Sequence, residues 1–130
     1  TLCGLGSGCS IEQGQASPAR LALLQREALE LALHAFKHID SIDTVLALLP
    51  PRPDGTQARA VFLERGDVRP ALERPLAETL TAELTPGVGE IEDAELSTVQ
   101  RLTRTRMYEY TYIQAQDGSP VMVLSPAPGA

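Results

Sequence analysis

The feature that most constrains this chain is a period-two alternation followed by a reversal signal. Tyr108, Tyr110 and Tyr112 alternate with Glu109, Thr111 and Ile113, and Asp117-Gly118 follows before a second apolar run, Val121-Met122-Val123-Leu124. Alternation of this kind belongs to a pleated strand, in which successive side chains point to opposite faces. Tyrosine and threonine fit such a surface well, and Asp-Gly is a strong turn signal. The stretch 106–124 is therefore expected to be a β-hairpin. An isolated hairpin is marginally stable in water, so the rest of the chain must supply further strands and a covering layer.

A second pair of extended segments meets that need. Thr44-Val45-Leu46-Ala47-Leu48-Leu49 is almost continuously apolar and too short for a separate helix, which predicts a buried strand over 43–49. Pro50, Pro51 and Pro53 end it, Asp54-Gly55 supplies turn chemistry, and 58–64 returns with Val61-Phe62-Leu63 at its centre.

Helices are expected ahead of and between the hairpins. Ser17-Pro18 is a helix start, with serine to cap the first amides and proline at the first helical position. Leu21, Leu24, Ala28, Ala32, Ala35 and Ile39 fall on one helical stripe, widened by Leu29, Leu31, Leu33 and Phe36, and the helix is expected to end at 38–40. So wide an apolar arc implies contact with a second surface besides the sheet, and hence self-association. Residues 70–84 read as helical, kinked or restarted at Pro75, with Leu76, Leu80 and Leu84 as a buried stripe. A short helix capped by Asp93 is expected through Leu102, with Leu96, Val99 and Leu102 inward. The fold class that follows is α+β: a four-stranded antiparallel sheet from two β-hairpins, packed against the long N-terminal helix and one or two further helices. Residues 1–16 read as a flexible Gly-rich linker, 17–126 as one domain and 127–130 as a tail.

Charge and composition narrow the function. The chain has 130 residues and a formal net charge of −6, so nucleic acid is not an expected partner. Arg101, Arg104 and Arg106 follow a cluster of acids and make a poor phosphate groove. No stretch is apolar and long enough to span a bilayer. The chain begins at Thr1 and not at Met, which leaves room for an upstream signal or anchor, and the reading leans toward a domain tethered outside the cytoplasm. Cys3 and Cys9 permit a small-loop disulfide without demanding one, and nothing near them completes a zinc site. The Gly-rich start lacks the strand and helix of a dinucleotide fingerprint and the lysine of a phosphate loop, so no cofactor is expected.

Three groups of side chains stand out. Glu30, His34 and His38 follow at intervals of four on one helix face, close to Glu27. Two histidines four apart can bind a transition metal and a carboxylate can add a third ligand. The bland alternative is a solvated face with Glu–His and Glu–Lys pairs, and Ala35 after His34 excludes the metalloprotease pattern. Tyr108, Tyr110 and Tyr112 share one strand face. If helices cover it, the stripe is core or half-core, as tyrosine commonly is; if it is open, it is an aromatic surface suited to binding a peptide, a glycan or another subunit. Gln114 and Gln116 continue that face and lean toward exposure. The acidic run Glu90, Glu92, Asp93 and Glu95 lacks a calcium-loop ladder and suits a helix start instead. No nucleophile, base and orienter converge in sequence, so a non-catalytic interaction module is expected, with ligand binding at Glu30, His34 and His38 as the alternative.

Overall fold

The computed structural model describes residues 17–50 and 58–128. Among them are four α-helices and a four-stranded antiparallel sheet, which makes the fold α+β. In chain order the elements are α1 (Pro18–His38), β1 (Thr44–Leu48), β2 (Arg59–Glu64), α2 (Arg69–Leu72), α3 (Leu76–Thr79), α4 (Asp93–Thr103), β3 (Met107–Gln114) and β4 (Pro120–Pro126). Short 3₁₀ turns at Arg65–Val68 and Arg104–Arg106 join β2 to α2 and α4 to β3. The strands lie in the order β1-β2-β3-β4. The first hairpin's turn residues, Asp54-Gly55, and the linker with Cys3 and Cys9 lie outside the described residues.

Local chemistry accounts for the ends of α1. The Ser17 hydroxyl accepts the Arg20 backbone N–H at 3.1 Å, and Pro18 occupies the first turn, where its missing N–H leaves no bond unmade. At the other end, the Arg65 guanidinium donates to the carbonyls of Phe36 at 2.8 Å, Ile39 at 3.0 Å and Ile42 at 2.6 Å. It also lies 5.2 Å from the centroid of the Phe36 ring. A planar cation with several donors satisfies the free carbonyls of a helix end and complements its dipole.

The core forms where α1 crosses the sheet. Leu29, Leu33 and Phe36 of α1 pack with Val61 and Leu63 of β2, Met107 of β3 and Val99 of α4. Burial in α1 is broader than the expected arc. Residues 22–29 are buried all round, and Leu31 instead points outward at 53% exposure.

Four expectations are corrected. β1 is an edge strand with Leu46 and Leu48 exposed, so an apolar run did not mean burial on both faces. The helix expected over 70–84 is two single turns that end at Thr79, because Leu80 is already extended (φ −116°, ψ 96°) and Pro75 cannot extend a hydrogen-bond ladder through itself. Leu84 is consequently 84% exposed and belongs to no stripe, while Leu80 is buried. The N-cap of α4 is Glu92, with Asp93 in the first turn, where its charge still favours the dipole. Glu27 is buried and not solvated, for a reason that lies in its neighbour Arg26.

Candidate functional site

Strand register decides which side chains share a face. Leu46 stands opposite Phe62, Ala60 opposite Tyr108, Tyr110 opposite Leu124 and Tyr112 opposite Met122. Directly opposed residues point to the same side of a sheet. Val45, Ala47, Val61, Leu63 and Met107 form the opposite parity and contribute to the core beneath the helices. Leu46, Leu48, Phe62, Tyr108, Tyr110, Tyr112, Met122 and Leu124 are absent both from that core and from the side chains packed against it. Among the described residues the helices lie on one side, and these apolar residues pave the other.

This open face is aromatic and nearly free of charge. Phe62 and Tyr108 meet edge to face with centroids 6.1 Å apart, as do Tyr110 and Tyr112 at 6.0 Å. Such pairs hold rings in fixed orientations and add to the stability of area burial alone. Tyr108 and Tyr110 are half-buried by these neighbours, while Tyr112 is 59% exposed. Of the ladder residues with this parity only Glu64, at one corner, carries a charge.

Hairpin β3–β4 outruns the sheet. Only Met107, Tyr108 and Glu109 pair with β2, whereas seven residues of β3 pair with β4. The distal part is a two-stranded ribbon with Ile113, Val121 and Val123 exposed on its other side. Its turn is closed by the Gly118 N–H on the Ala115 carbonyl at 2.9 Å, then by Ala115 N–H on Ser119 at 2.8 Å. Gly118 takes φ +83°, a left-handed conformation that side chains with a Cβ resist. Asp117 accepts from the Ser119 hydroxyl and backbone N–H, and these bonds hold its carboxyl below the usual range.

The helix-face residues are placed differently. His34 and His38 are exposed and stack with centroids 6.0 Å apart. Glu30 accepts from Arg26 at 3.0 Å. Among the described residues no group of three His, Cys, Asp or Glu side chains is gathered for a metal ion. The acidic run is likewise dispersed: Glu90 accepts the Gly87 N–H at 3.0 Å, and Glu95 bonds Arg26 at 3.1 Å.

Arg26 is the feature that sequence reasoning missed. It is 1% exposed and donates to Glu27, Glu30, Glu95 and the Ala82 carbonyl, tying α1 to α4 and to the loop before it. Burial and the nearby Glu30 charge raise the carboxyl of Glu27, despite its bond from Arg26. An arginine embedded in an apolar helical stretch was the available signal.

Among the described residues the fold is an α+β domain whose sheet is covered by helices on one side and is aromatic, apolar and free of those helices on the other. No family model matches the chain, and neither a curated protein nor a solved structure matches it.

Proposed function

We propose that the protein is a non-catalytic interaction module that self-associates, face to face, through the open side of its sheet. The carrying observation is the helix-free face of Leu46, Phe62, Tyr108, Tyr110, Tyr112 and Leu124. Interface cores are enriched in tyrosine, phenylalanine and methionine and depleted of charge, and this face has that composition. A two-fold copy presents the same patch, so apolar meets apolar without a new charge match. The acids that make the chain −6 mostly lie elsewhere, so docked faces keep them apart.

Size sets the expected strength. Strands about 4.8 Å apart and residues about 3.3 Å apart give a flat footprint of roughly 400 Å², about half the area per partner of a standard interface. Association is therefore expected to be weak and concentration-dependent. It should also tighten as salt screens the net charge. Light scattering across a concentration series at low and high salt tests this; a strict monomer at high concentration in both removes the reading. Residence on a tether outside the cytoplasm belongs to the same proposal and is supported by the Gly- and Ser-rich composition of residues 1–16.

One observation favours the metal reading as a second: the parallel imidazoles of His34 and His38 on successive turns. Zinc and nickel titration by calorimetry decides it, since heat no greater than that of a His34→Ala, His38→Ala variant ends it.

A further inference from the structure

The outer edge of β4 is unpaired. Among the described residues β4 is the last strand of the sheet and has a neighbour, β3, on one side alone. Antiparallel strands exchange backbone bonds at every second residue pair, so the bonded parity of β4 fixes what its free edge offers. The Ala127 N–H donates to the Met107 carbonyl at 3.0 Å, and the Ala115 N–H donates to the Ser119 carbonyl at 2.8 Å. In the register that sets Tyr110 against Leu124, these bonds turn the backbone groups of Val121, Val123 and Ser125 toward β3. Met122 and Leu124 therefore direct their N–H and C=O groups outward. Pro120 and Pro126 share that parity and have no N–H to give. The free edge is a pair of outward donors bounded at each end by a proline.

The side chains of this strand are open on both faces. None of residues 120–126 belongs to the core or packs against it. Met122 and Leu124 lie on the bare side with the tyrosines, and Val121 and Val123 are exposed on the other. No residue of β4 carries a charge, and its register with β3 is continuous. Charge, a bulge or a covering helix are the usual guards of a strand edge, and here the prolines alone limit pairing. The opposite edge, β1, differs, because Val45 and Ala47 pack against the core and leave it one open face.

We infer that β4 pairs antiparallel with β4 of a second copy of this chain, about a two-fold axis at Val123. That register overlaps the strands most fully and sets each Val123 opposite the other. Met122 of either copy then stands opposite Leu124 of the other, and each such pair exchanges its backbone N–H and C=O bonds. Proline faces proline at both ends, and a contact of this symmetry closes at two copies. The axis is normal to the sheet, so like faces stay on one side and the two bare faces become continuous. Their joint footprint is roughly 800 Å², the area per partner of a standard interface. That last consequence rests on the face-to-face proposal; the edge pairing itself does not.

The test is amide hydrogen exchange of the whole chain, read residue by residue by NMR across a protein concentration series. The Met122 and Leu124 amides should exchange fast in dilute protein and slow about tenfold where about nine-tenths of the chains are paired. Those of Val121 and Val123 should change far less, since β3 already holds them. On a Cys3→Ser, Cys9→Ser background, Val123→Cys should form an interchain disulfide, because opposed residues of a non-bonded pair lie about 4.5 Å apart. Val121→Cys should not, since its counterpart is displaced along the strand, and equal cross-linking of the two overturns the axis at Val123. Slowing at Met122 and Leu124 without shifts at Phe62 and Tyr108 supports edge pairing and removes the face-to-face reading. Shifts at Phe62 and Tyr108 without that slowing overturn edge pairing and leave the face-to-face reading standing. Slowing confined to β1, or none at millimolar protein, also overturns the inference.

Discussion

The same four strands present two faces with opposite fates. On the helix side, Val61 and Leu63 are 1% exposed beneath α1, while on the other side Leu46 is 38% exposed and Tyr112 59%. The two sets are separated by one residue of register, not by hydrophobicity. Apolarity in a strand therefore marks two possible destinations, an internal core or a surface that awaits one. Which is which depends on where the helices come to rest.

Breaking the covered side should have the largest effects. Arg26→Ala would leave Glu95, Glu27 and Glu30 without their shared cation, and a stability loss of about 3–5 kcal/mol is expected in urea unfolding. Leu63→Ala should cost about 2–5 kcal/mol through transfer and cavity terms. Leu46→Ala, the same chemistry on the open face of the neighbouring strand, should cost well under half as much; equal losses would contradict the assignment of faces.

Smaller effects sharpen the comparison. The carboxyl of Glu27 is raised above 4.5, so the folded state holds that proton more tightly than the unfolded chain. Its contribution then favours folding at low pH and is lost as pH rises from the unfolded value through the raised one. Glu27→Gln keeps an acceptor for Arg26 without the charge. It should gain stability relative to wild type between pH 4 and pH 7, read as a difference in urea midpoints at the two pH values. Tyr112→Ser should be nearly silent in stability, within about 0.5 kcal/mol, because its ring is mostly in solvent. The same change should nonetheless weaken self-association.

The parts legible in sequence were those coded locally. Ser17-Pro18 begins α1 because a cap and a fixed φ act within one turn, and Asp117-Gly118 reverses the chain because only its own backbone is involved. The tyrosine alternation likewise placed three rings on one face of β3. What escaped was non-local. Leu84 continues a spacing of four but lies beyond a helix that had already stopped, and Leu31 lies outside the arc that α1 buries. Phe62 and Leu46 join the tyrosine face through pairing register, which strand composition alone does not reveal. The Arg26 knot arises from residues far apart in sequence, Arg26 and Glu95, brought close by the packing of α1 against α4.

The central claim is that the bare sheet face is where copies of this chain meet. Amide and methyl chemical shifts followed across a protein concentration series test it most directly. The account predicts that the concentration-dependent changes cluster on Phe62, Tyr108, Tyr110, Tyr112, Met122 and Leu124. Changes confined to Leu31, His34 and His38 on the outer side of α1, or no changes at any concentration, would contradict it.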